Sequence, residues 1–136
     1  MTKLLTFIVF ILFFSPIHAQ QHHGWVVGNS GKIINTSNEG TTWFNQNTGV
    51  SNNLYSVYFA NESTGWAVGQ FGRVRKTTNA GTTWLDKNSG TSDYLYSVCF
   101  INENVGWAVG QFGRIIKTTN GGTNWVTQTS GTSNNL

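Results

Sequence analysis

Gly65-Trp66-Ala67-Val68-Gly69 is the middle of three closely matching stretches, preceded by Gly24-Trp25-Val26-Val27-Gly28 and followed by Gly106-Trp107-Ala108-Val109-Gly110. Their first residues stand at 24, 65 and 106, a constant step of 41. Two further signatures keep the same phase. Trp43, Trp84 and Trp125 form one series, and Tyr55-Ser56-Val57-Tyr58-Phe59 returns as Tyr96-Ser97-Val98-Cys99-Phe100. All six tryptophans fall into this repeat, two per copy, so the period is architectural.

The middle copy reads as four short strands. Leu54–Phe59 alternates and is rich in aromatic and β-branched residues, Gly65–Gly69 follows, and Arg73–Thr78 and Thr82–Asp86 complete the unit. Between them lie the turn-rich stretches Ala60–Thr64, Gln70-Phe71-Gly72, Asn79-Ala80-Gly81 and Lys87–Asp93. Four strands repeated every 41 residues predict an all-β chain. The expected architecture is a partial β-propeller of about three four-stranded antiparallel blades. A parallel β-helix would need a shorter coil, and a sandwich would not repeat.

The expected blades are 24–53, lacking its inner strand, then 54–94 and 95–135, within a repeat region spanning 20–136. Asn134-Asn135-Leu136 has the phase of Asn52-Asn53-Leu54, so a further Tyr-Ser-Val-like strand is the expected continuation. Closed rings take about four to eight blades. The expectation is therefore a propeller truncated at its C-terminus, with the assembly of several copies as the alternative.

Residues 1–19 form a separate object. Lys3 supplies a positive start, Leu4–Phe14 is apolar apart from Thr6, and Ser15-Pro16-Ile17-His18-Ala19 ends on a small residue. A run this short reaches about half way across a roughly 30 Å hydrocarbon core. It reads as a signal peptide cleaved after Ala19, leaving an exported protein (periplasmic, cell-surface or extracellular) with no stable membrane span.

Composition narrows the function. Charged residues make up 10% of the chain, and without Lys3 seven Lys/Arg face five Asp/Glu. That small excess does not suit a nucleic-acid binder held by phosphate contacts. One cysteine excludes an internal disulfide framework and a Cys-based zinc site. Neither a metal nor any other cofactor is expected. His22 and His23 beside a new N-terminus at Gln20 offer only a minor Cu(II) possibility. Asn35-Thr36-Ser37 and Asn61-Glu62-Ser63 match glycosylation acceptors, relevant only in a eukaryotic host. Cys99 reads as a packed strand residue in the place of Tyr58.

Thr118-Thr119-Asn120-Gly121-Gly122-Thr123-Asn124-Trp125 resembles the Asp-box of sialidase-type propellers, and Thr36…Trp43 and Thr77…Trp84 match the same frame. Its structural positions are Thr36, Asn38, Gly40 and Trp43; Thr77, Asn79, Gly81 and Trp84; and Thr118, Asn120, Gly122 and Trp125. Asparagine replaces the acid in all three, which keeps a short side chain able to bond the turn backbone. The glycines supply a permissive dihedral, and the tryptophans are expected to pack between neighbouring sheets. With Gly-Trp-Ala-Val-Gly, Gly-Arg-Ile and Lys-Thr-Thr-Asn-Gly-Gly, the whole unit resembles the photosystem II stability/assembly factor family. That resemblance covers residues 24–136. It implies a propeller whose basic surface holds a partner protein. Any role in photosynthesis comes from the resemblance alone.

In sialidase-type propellers, ligand binds at the end opposite the box. By phase, that end carries Asn29-Ser30-Gly31-Lys32, Gln70-Phe71-Gly72-Arg73 and Gln111-Phe112-Gly113-Arg114. Lys32, Arg73 and Arg114, with Phe71 and Phe112, are the candidate partner-binding residues. An arc of cations beside exposed aromatics suits an acidic peptide, and an anionic glycan is the alternative. The competing reading makes each cation a solvated strand end and each phenylalanine a blade-to-blade packing residue.

Catalysis finds little support, and no catalytic residue is assigned. A sialidase needs an arginine triad, whereas Arg73 and Arg114 occupy equivalent repeat positions beside Arg75. A glycosidase needs two carboxylates converging on one bond. Glu39, Glu62 and Glu103 lie in turns, and Asp86 and Asp93 show no shared placement. The leading expectation is a non-catalytic exported scaffold that binds a protein or peptide, in assembly or surface adhesion. The alternative is a glycan-binding or glycan-hydrolysing propeller.

Overall fold

The computed structural model describes residues 23–136; the leader 1–19 and His22 lie outside them. Eleven strands follow in order: β1 Gly24–Val27, β2 Ile33–Thr36, β3 Phe44–Gln46, β4 Leu54–Phe59, β5 Gly65–Gly69, β6 Val74–Thr77, β7 Leu85–Lys87, β8 Leu95–Phe100, β9 Gly106–Gly110, β10 Ile115–Thr118 and β11 Val126–Gln128. They form three antiparallel sheets, β1-β2-β3, β4-β5-β6-β7 and β8-β9-β10-β11. Each strand pairs with its sequence neighbour, as meandering propeller blades require. The inner strands β4 and β8 stand side by side, and β1, the second strand of its blade, lies against β4.

The blades are held by one aromatic module used twice. Trp66 lies flat on Phe100 of the next blade, centroids 3.6 Å apart, and its indole N–H donates to the Gly121 carbonyl at 3.1 Å. Phe100 in turn meets Trp125 edge-on at 5.9 Å. Trp25, Phe59 and Trp84 repeat the arrangement at 3.6 and 5.9 Å. Around these rings sit Val68, Val74, Leu95, Val98 and Ile116 at one boundary, and Ile33, Leu54 and Ala67 at the other, all buried. A fully buried side chain of this size contributes roughly 2–3 kcal/mol.

The box turns are built alike. Thr77 Oγ1 accepts from the backbone N–H groups of Asn79 and Gly81, and Asn79 Oδ1 accepts from Thr83 N at 2.9 Å. Thr36 with Asn38 and Thr118 with Asn120 do the same. Gly81 has φ +85, and a Cβ there would lie 2.0 Å from Gln46 Oε1, because Gln46 of the first blade clips this turn. The asparagine contacts also correct one expected boundary. They hold the chain in the turn through Thr83, so the fourth strand begins at Leu85 and not at Thr82.

Burial of the box tryptophans is uneven. Trp84 is buried, Trp125 is half-buried, and Trp43 is 43% exposed on a side of the first sheet that no other described sheet covers. Cys99 is exposed, unlike the half-buried Tyr58 it replaces, which packs on Phe100. The packed reading of Cys99 is thereby corrected.

Candidate functional site

At the end opposite the box, each second strand turns tightly into the third. In the middle blade Arg73 N donates to Gln70 O at 3.1 Å, with Phe71 at φ 55 and Gly72 at φ +66. The turn presses on the following linker, since a Cβ at Gly72 would lie 1.9 Å from the Thr91 carbonyl oxygen. Phe112 and Ser30, both at φ 56, hold the equivalent places. A bulky side chain in this left-handed region costs about 1–2 kcal/mol, and the phenylalanines gain little burial for it. Phe71 is 60% and Phe112 65% exposed.

The cations follow those turns, but they are held. Arg73 Nη1 lies 2.7 Å from Asp86 Oδ2, and its Nη2 donates to Asn52 Oδ1 at 3.3 Å. Arg114 Nε lies 2.7 Å from Asp93 Oδ2. Lys32 Nζ donates to Asn45 Oδ1 at 3.0 Å. The expected open arc is therefore an arc of partnered cations. Asp86 comes from the neighbouring strand and Asp93 from the linker leading into the next blade. Both arginine pairs are partly solvated, so a partner's carboxylate can compete for the guanidinium.

A third arginine is not on this arc. Arg75 is 8% exposed, between the first and second blades, where the flanking copies have Ile34 and Ile116. Its Nη2 donates to the carbonyls of Thr48 and Trp84, and its Nη1 lies 3.4 Å from Asp86 Oδ1. Asp86 thus serves two guanidiniums.

Tyrosines complete this end, and sequence reasoning missed them as site residues. Phe71 meets Tyr94 edge-on at 5.2 Å; Tyr94 lies 6.3 Å from Tyr55, and Tyr55 5.6 Å from Tyr96. Tyr55 projects where the β4–β5 register slips between Leu54 and Ser56. The available signal was Tyr94, which stands where the neighbouring copies have Asn53 and Asn135. Beside this ridge, Phe71, Arg73, Asp86 and Asn88 line a shallow depression of about 450 Å³. Among the described residues no group of three or more His, Cys, Asp or Glu gathers to hold a metal ion.

Three sheets of this strand order, with a shared turn end and a shared box end, define a β-propeller. The model of the family described as Photosynthesis system II assembly factor YCF48 matches residues 11–86, and the chain belongs to that family. Solved structures with the same fold include YCF48 bound to D1 peptide, 24% identical over 79% of this chain and 36% of that chain, TM-score 0.70. YCF48 from Cyanidioschyzon merolae is 23% identical over 85% of this chain and 38% of that one, TM-score 0.71. An ancestral GH74 enzyme is similar at 21% identity over 77% of this chain and 18% of its own, TM-score 0.53. The chain thus spans a little over a third of the length of the two YCF48 structures. No curated protein matches it.

Proposed function

We propose that this chain is a non-catalytic, exported propeller segment that binds an extended acidic peptide at the end bearing Lys32, Phe71, Arg73, Phe112 and Arg114. One observation carries the reading. Two phenylalanines stand largely exposed in left-handed backbone, each one residue from the glycine that precedes an arginine. Backbone strain and apolar exposure together are the mark of a binding surface. Family membership and the D1 peptide in a structure of the same fold support a peptide partner. The leader supports export. An assembly or surface-adhesion role follows from holding a partner without chemistry.

The test replaces Phe71 and Phe112 with serine, the residue the first blade carries at Ser30. Titration with the D1 peptide is expected to weaken by about tenfold or more in the double variant, with folding intact. Equal affinity for both proteins rejects the reading. A sialidase-type alternative instead requires hydrolysis of a fluorogenic sialoside, which this reading expects to be silent.

A further inference from the structure

Resting on that reading of the cation-bearing end, we propose that the ridge Tyr96–Tyr55–Tyr94–Phe71 selects the partner by taking a proline-bearing segment of extended peptide. The four rings are continuous, at 5.6, 6.3 and 5.2 Å. They are tilted to one another at 53°, 42° and 86°, with Tyr55 38% and Phe71 60% exposed and Tyr94 and Tyr96 half-buried. A pyrrolidine ring packs against rings tilted in this way. A polyproline II backbone has no internal hydrogen bonds, so its carbonyls are free to accept from tyrosine hydroxyls. Sugar stacking needs an open ring face, and the edge-on contact of Phe71 with Tyr94 covers part of one.

The repeat breaks its own rule at this place. Asn53 Oδ1 accepts from Ser30 N at 3.0 Å, and Asn135 Oδ1 accepts from Phe112 N at 3.1 Å. The middle copy has Tyr94 there, which carries no amide oxygen to accept from Phe71 N. The fold gives up a turn bond beneath a bulky left-handed residue and gains ring contacts of Tyr94 with the exposed Phe71 and Tyr55. Local rules are broken this way at functional sites. Charge sets the flanks of the occupant. Lys32, Arg73 and Arg114 outnumber Asp86 and Asp93 at this end, which suits acidic residues on either side of the proline.

The experiment compares the full chain with Tyr94→Asn, which restores the asparagine of the other copies. The probes are a short acidic peptide carrying Pro-Pro, the same peptide with Ser-Ser, and a linear oligosaccharide, titrated calorimetrically. The expected result is about tenfold tighter binding of the proline peptide by the native chain, falling to the serine peptide's level in Y94N. The melting temperature of Y94N should be equal or higher, because the turn bond returns. If both peptides bind both proteins alike, the ridge proposal is overturned and the acidic-peptide reading stands. If neither peptide binds, both fall. Loss of oligosaccharide binding in Y94N, with no proline preference, makes the ridge a sugar platform and also overturns the proposal.

Discussion

Trp66 and Phe100 lie face to face across the boundary between the second and third blades, centroids 3.6 Å apart and planes within 14°. Each residue belongs to a repeated signature, yet the contact forms only between copies. Cohesion of the propeller therefore resides at the blade boundaries. Phe100→Ala is expected to cost about 3–5 kcal/mol in urea unfolding, since it empties a site packed from both sides. Ile101→Ser, at a position 72% exposed, should stay within about 0.5 kcal/mol. Similar losses at both positions would contradict this account.

Arg75 sits where the other copies carry isoleucine. Arg75→Ile should be tolerated within about 1 kcal/mol, because the apolar residue that the flanking copies pack at this position, Ile34 and Ile116, replaces a costly buried charge. Arg75→Ala should cost about 2–4 kcal/mol, since it also leaves a void between blades. Chemical denaturation of the two variants checks the order, and a larger loss in the isoleucine variant would refute it.

Thr77 is 1% exposed, and its hydroxyl organises the middle box turn. Thr77→Val should lose about 2–3 kcal/mol by stranding the Asn79 and Gly81 N–H groups. Asn79→Asp, which restores the acid of the common box, keeps the acceptor for Thr83 N and should change stability by less than about 1 kcal/mol. Thermal melts of both variants test whether bond geometry or charge is what the box requires.

Lys76 is held below the ordinary lysine pKa by burial first and by the Lys87 charge second, with Glu103 opposing. Its Nζ lies 5.1 Å from the Trp66 ring centroid, a contact that favours the charged form. Because the folded pKa is lower than the unfolded one, the unfolded chain binds more protons between the two values. The Lys76 contribution to stability therefore rises with pH in that window. Native stability relative to Lys76→Gln should improve as the pH rises toward the ordinary lysine pKa of about 10.4. A pH-independent difference would contradict the assignment.

Much of this was legible in the sequence because a repeat reports its own register. The period, the inner and second strands, and the left-handed turn glycines all follow from residues compared with their copies. Contacts between copies were less legible. The pairing of Arg114 with Asp93, and the reach of Arg73 to Asn52 and of Arg75 to the Thr48 carbonyl, depends on which side chains point across a boundary. The fourth strand was misplaced because the Asn79 amide bonds both the backbone and the hydroxyl of Thr83, a side-chain effect that strand propensity does not contain. The tyrosine ridge was visible only as a departure, Tyr94 in an asparagine column.

The central claim is that the partner sits on the turn end of the blades and not on the box end. Hydrogen-exchange footprinting of the full chain with and without the D1 peptide tests it most directly. The predicted result is protection confined to residues 70–73, 93–96 and 111–114. Protection of the box turns, 77–84 and 118–125, with the other end unchanged, would contradict the account.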